Sequence, residues 1–177
     1  MALDAEIKAQ LAQYLELLEN DIVLKASVST DENSQKVLDL VEEIAAMSPK
    51  ITMVKAQLEK TPSFAVDRTD GSSGVVFAGL PLGHEFTSLV LALLQVSGRA
   101  PKVDDKIIKQ IQGIDKELHF ETYVSLTCHN CPDVVQALNI RSIVNPKISH
   151  TMIEGGMFQD EVEAKSIMAV TPVQMNG

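Results

Sequence analysis

The chain is written twice, and that repetition constrains its fold more than any single motif does. Residues 28–51 read VSTDENSQKVLDLVEEIAAMSPKI, and residues 125–148 read SLTCHNCPDVVQALNIRSIVNPKI. At an offset of 97, Ser48-Pro49-Lys50-Ile51 falls on Asn145-Pro146-Lys147-Ile148, and Val37, Leu38 and Val41 fall on Val134, Val135 and Leu138. Upstream, LDAEIKAQL at 3–11 resembles VDDKIIKQI at 103–111. Downstream, Thr61-Pro62 has an echo in Thr171-Pro172. Chance is a poor explanation for three matches in the same order.

Each copy predicts the same elements. A helix comes first, from Ile7, Leu11, Leu15 and Leu18 in one copy and Ile107, Ile111 and Ile114 in the other, all at helical spacing. A strand rich in β-formers follows, at 21–28 and 119–126. A second helix, 34–47 and 131–144, stops before the proline of SPK or NPK, because proline disfavours helix in the residue ahead of it. Another strand (50–55 and 148–153), a loop, and a strand led by Thr-Pro complete the unit. The first copy goes on to a strand at 74–79 and a helix at 84–96 that ends at Ser97-Gly98. The second copy ends at Asn176-Gly177, a hairpin-turn dipeptide, so a final strand and helix are expected to be missing.

Helix, strand, helix, strand, then a hairpin and helix is the layout of a thioredoxin-like fold, with right-handed crossover making the first strand pair parallel. The expected architecture is therefore α/β: two tandem thioredoxin-like folds, residues 1–100 and 101–177, the second truncated after its third strand. Gly98-Arg99-Ala100-Pro101 is the natural boundary.

Composition narrows the function. An apolar content of 45% can bury a real core, but aromatics are only 4% and Trp is absent, so stacking platforms for single-stranded nucleic acid are not expected. A net charge of −9 argues against a phosphate-binding surface. The longest strongly apolar run, LVLALLQV at 89–96, is too short to span a bilayer. The opening MALDAEIKAQ is acidic where a signal peptide is basic. A cytoplasmic location is the expectation, with neither nucleic acid nor membrane as partner.

The chemistry lies in Cys128 and Cys131, the only cysteines, spaced C-x-x-C. In the expected layout Cys128 follows a strand and Cys131 opens a helix. Unpaired N–H groups and the positive dipole end of a helix lower a thiol pKa there. Pro132 fits near the first helical position, where no hydrogen bond is lost. His129, between the cysteines, can add positive charge. Cys128 is the expected attacker on a partner disulfide and Cys131 the resolver. Pro172, ahead of the antiparallel strand, is expected to face the dithiol and shape the partner groove; in this fold such a proline is often cis. Two other readings stay open. A zinc site normally has four ligands, and His84, His119 and His150 show no ligand spacing. The cysteines could also be inert buried thiols.

At the same offset Asp31 and Ser34 replace the cysteines, so the first copy cannot run a disulfide cycle and reads as a scaffold or docking half. Glu85, at the head of that copy's last helix, is a candidate acid or base for the dithiol; alternatively it only favours the helix dipole. Met152, Met157 and Met168 read as core filler.

The segments FAGLPLGHEFTSLVLALL (77–94) and FETYVSLTCHNCPDVVQALN (120–139) resemble the N-terminal domain of the flavin-bearing subunit of bacterial alkyl hydroperoxide reductase, and the resemblance covers nearly the whole chain. It implies an electron carrier. The domain would take electrons from a reductase body that binds FAD and a nicotinamide cofactor, and would reduce the disulfide of a two-cysteine peroxiredoxin in peroxide detoxification. The family's dithiol maps onto Cys128 and Cys131. No G-x-G-x-x-G is present, so FAD and NAD(P)H are expected on a part of the longer protein outside this chain, with no cofactor here. A general glutaredoxin-like disulfide oxidoreductase and a redox-inactive binding module are the alternatives.

Overall fold

A computed structural model describes residues 3–165 and 173–175. Helix α1 (Ala5–Leu15) is capped by Asp4, whose carboxylate accepts from the Ile7 N–H at 2.9 Å. It is followed by β1 (Ile22–Ser27), α2 (Glu32–Ala46), β2 (Ile51–Lys55), β3 (Ser63–Arg68) and β4 (Gly71–Ala78). A 3₁₀ turn (Gly83–Glu85) leads into α3 (Phe86–Val96). The second repeat supplies α4 (Asp105–Gln112), β5 (Leu118–Val124), α5 (Cys131–Val144), β6 (Ile148–Glu154), α6 (Gln159–Ala164) and β7 (Val173–Met175).

Among the described residues, seven strands form one sheet in the order β2-β1-β3-β4-β6-β5-β7. In each repeat the first strand pairs parallel with the second and antiparallel with the third: β1 with β2 and β3, β5 with β6 and β7. This is the thioredoxin-like arrangement, present twice in tandem. The repeats meet at a parallel ladder between β4 and β6, from Val75↔His150 to Ala78↔Ile153. Gly74 stands at the start of this seam with φ +82°, and a Cβ there would sit 2.7 Å from the Ile148 carbonyl oxygen. Only glycine permits so close an approach in that conformation.

Apolar periodicity explains the packing. Val37, Leu40, Val41 and Ile44 make one stripe of α2, and all are fully buried. Helix α3 is apolar on several sides and packs against α1, α5 and β3. One contiguous core takes residues from both repeats, with Val124, Cys131, Val135 and Met152 joining Leu24, Phe64, Phe77 and Leu89. Burying each such side chain contributes about 1.5–3 kcal/mol, so a core that crosses the boundary binds the repeats strongly.

The elements depart locally from the sequence expectation. Helix α2 begins at Glu32, two residues early, because the Asp31 side chain caps it. Strand β4 reaches back to Gly71, where Ser73 Oγ donates to the Val66 carbonyl and the Ser73 N–H to Asp67. Helix α6 falls where the sequence reads as loop: it has six residues and no buried side chain, so it carries no apolar period. Leu18 and Ile114 lie beyond their helices, although Leu18 is still buried. Met152 is fully buried and Met157 packs against the core; Met168 lies outside the described residues.

Candidate redox site

The dithiol loop, residues 125–130, connects β5 to α5. Helix α5 starts at Cys131, with Pro132 in its first turn, where the missing N–H leaves no gap in the helical ladder. Asn130 occupies the N-cap position but makes no capping bond with its side chain. The sulfur of Cys128 fills that role, accepting from the Cys131 N–H at 3.2 Å. Cys128 and Cys131 are joined as a disulfide with Cα atoms 5.6 Å apart. Cys131 is fully buried, while Cys128 is half-buried at the surface.

The first repeat shows the same frame without sulfur. Asp31 Oδ1 accepts from the Ser34 N–H at 2.7 Å, three residues on, as Cys128 does from Cys131. Ser34 is fully buried and its hydroxyl also accepts from the Ser29 N–H at 3.0 Å. The Ser34 backbone bond, helped by its hydroxyl, holds the Asp31 carboxyl below its ordinary pKa.

The His129 ring lies 4.4 Å from that of His84, tilted by 59°. Glu85 is fully buried at the end of the 3₁₀ turn, which packs against α5. Its Oε1 accepts from Ser88 Oγ at 2.8 Å, and Ser88 in turn accepts from Gln136 Nε2 of α5 at 3.2 Å. Burial raises the Glu85 carboxyl pKa, against the opposing effect of the Ser88 bond. The Thr61–Pro62 peptide, which leads β3, is cis; its counterpart Pro172 lies outside the described residues. Among the described residues, no group of three or more His, Cys, Asp or Glu is arranged to hold a metal ion. Also among them, no helix is long and apolar enough to cross a membrane.

Sequence reasoning assigns no role at the site to Gly83, His84, Ser88 or Gln136. Each acts across the boundary between repeats, and no local spacing announces such a contact. The GHEF run beside Glu85 is the one available hint.

No protein-family model matches the chain. It is 63% identical over 177 residues to a Bacillus subtilis protein named NADH dehydrogenase, covering 100% of this chain and 35% of that protein. It is 54% identical over 175 residues to the alkyl hydroperoxide reductase F subunit of Staphylococcus epidermidis, covering 99% of the chain and 34% of the relative. A crystal structure of the N-terminal domain of the Enterococcus faecalis reductase superposes with a TM-score of 0.90 at 28% identity, covering 99% of this chain and 91% of that one. The chain matches the N-terminal domain of the alkyl hydroperoxide reductase F subunit. It spans about a third of the length of the curated relatives it matches. A protein disulfide oxidoreductase from Aeropyrum pernix shares the fold, with a TM-score of 0.85 at 18% identity over 98% of this chain and 84% of that one.

Proposed function

We propose that this chain is a thiol–disulfide oxidoreductase domain that carries reducing equivalents to the disulfide of a two-cysteine peroxiredoxin, in peroxide detoxification. The observation that carries the reading is the Cys131 N–H on the Cys128 sulfur at the head of α5, with Cys131 buried behind it. In the reduced protein that N–H and the helix dipole favour a thiolate at Cys128. The likeness to the reductase's F subunit supports the peroxiredoxin as acceptor. It also supports, with the name of the Bacillus relative, a flavin- and nicotinamide-binding body outside this chain as donor.

The cycle balances. The Cys128 thiolate attacks one sulfur of the partner disulfide; that S–S bond breaks, and the departing partner thiolate takes up a proton. Cys131 then loses its proton and its sulfur attacks Cys128. The Cys128–Cys131 bond forms, the mixed disulfide breaks, and the second partner thiolate is protonated. Two electrons have passed to the partner, and its two protons are made up by exchange with solvent for those the Cys128 and Cys131 thiols gave up. Glu85, a buried carboxyl on the turn that packs against α5, is the proposed acceptor of the Cys131 proton when ionised. His129 supports the Cys128 thiolate, and Pro132 starts the helix. Residues 1–100 form the scaffold and 101–177 the working fold, in the cytoplasm, where thiols are kept reducible.

The test is single-turnover transfer from the pre-reduced chain to an oxidised two-cysteine peroxiredoxin, read as new free thiol on the peroxiredoxin. Stoichiometric transfer is expected. Equal activity on arbitrary disulfides would favour a general disulfide reductase. No transfer from folded, reduced protein would overturn the reading.

A further inference from the structure

The dithiol loop is held both from within and from the neighbouring repeat. Within it, Cys128 N–H bonds to the Ser125 carbonyl at 3.0 Å, and Ser125 and Thr127 share their hydroxyls. Thr127 and Asn130 are exposed. Further anchors come from the cysteine-free repeat. Gly83 approaches so closely that a Cβ there would lie 2.8 Å from the Leu126 carbonyl oxygen, and its φ is +57°. The His84 N–H donates to that same carbonyl at 2.9 Å. The His84 ring then meets the His129 ring, inside the C-x-x-C itself.

We propose that His84 is a positioning residue for the dithiol: the cysteine-free fold reaches across and, through its ring contact with His129, holds the loop so that the Cys128 sulfur sits on the helix N-terminus. This rests on the exchange activity proposed above. The backbone bond fixes the base of the loop at Leu126, and the ring contact fixes its tip. A tip without that contact would sample conformations in which the sulfur leaves the Cys131 N–H, and misplacement at a reacting atom slows the reaction.

Two variants test the idea, both at an exposed side chain whose loss leaves the core intact. His84→Ala removes the ring; His84→Phe keeps an aromatic partner for His129 without a titrating group. The readouts are single-turnover reduction of the small disulfide 5,5′-dithiobis(2-nitrobenzoate) and the equilibrium of Cys128–Cys131 against dithiothreitol. An aromatic contact of ordinary strength predicts that His84→Ala changes both about 2- to 10-fold, and that His84→Phe restores both. Native values in the His84→Ala chain would overturn the proposal, and so would a His84→Phe chain as impaired as the alanine variant. If the native chain itself reduced neither the small disulfide nor the peroxiredoxin, the function reading would fail instead, and that result is distinguishable because it precedes any substitution.

Discussion

The two repeats solve the same problem at the head of their second helix with different atoms. In the first, a carboxylate oxygen of Asp31 takes the N–H three residues ahead; in the second, the sulfur of Cys128 takes it. The two acceptors sit at equivalent positions in the repeat, 97 residues apart. The carboxylate also draws Glu32 and Asn33 into helix, so α2 starts two residues earlier in the repeat than α5. The first repeat has the anion permanently and therefore has a cap. The second has a sulfur that takes the same bond while joined in a disulfide, and in the proposed function that sulfur becomes an anion only when reduced. Loss of the cysteines does not require loss of the frame, because the frame's need is for an acceptor.

That comparison can be broken most severely at Cys128. Cys128→Ser should abolish transfer to a partner disulfide while far-ultraviolet dichroism and the melting temperature stay close to native. Residual transfer would place the chemistry elsewhere.

A second difference lies deeper. His150 of β6 bonds through Nδ1 to Asn139 of α5 at 2.7 Å and through Nε2 to Thr122 of β5 at 2.8 Å, all three buried. At the repeat offset the first copy has Met53 and Glu42 instead of His150 and Asn139, so only the redox helix is tied down this way. Burial, helped by the nearby His119, lowers the His150 pKa from 6.5 to about 3. Above pH 6.5 the ring is neutral in folded and unfolded chains alike and the network contributes fully. As pH falls toward about 3, the unfolded chain takes up a proton that the folded chain refuses, and stability drains away. The loss should approach about 1.4 kcal/mol per unit of displacement. Chemical denaturation across that range should show this slope in the native chain and a shallower one in His150→Gln.

Between the repeats, Lys60 of the first bonds to Glu121 of β5 at 3.1 Å and to Glu161 of α6 at 2.5 Å. Burial opposes the Lys60 charge, but the two carboxylates prevail and raise its pKa. Lys60→Met should cost about 2–3 kcal/mol in denaturant unfolding, below the usual figure for breaking a buried pair, because Lys165 still faces Glu121 at 3.1 Å. The smallest effect sharpens the opening comparison: Asp31→Ala removes a cap and should lower the denaturation midpoint slightly, without slowing disulfide exchange.

Much of this was legible in the sequence wherever a local signal existed. The span of α5 is the one its flanking Pro132 and Pro146 predict, and the redox pair declares itself by spacing at a helix start. The repeat announces the strand–helix–strand order. What stayed hidden depends on distance along the chain. The pairing of β4 with β6 joins strands about 75 residues apart whose buried runs look alike on either face. The His84–His129 contact and the Ser88–Gln136 bond cross the same boundary. Helix α6 shows no period because it is six residues long and Val162, only partly buried, is its one apolar side chain packed against a core cluster.

The parallel ladder at β4 and β6 has a mechanical consequence. Tandem modules on a string can swivel, and each can meet its own customer. Here the backbone hydrogen bonds and the shared core weld two modules into one plank. Wherever Cys128 moves in the proposed transfer, the whole plank travels with it. A partner that grips the silent half thereby aims the working half.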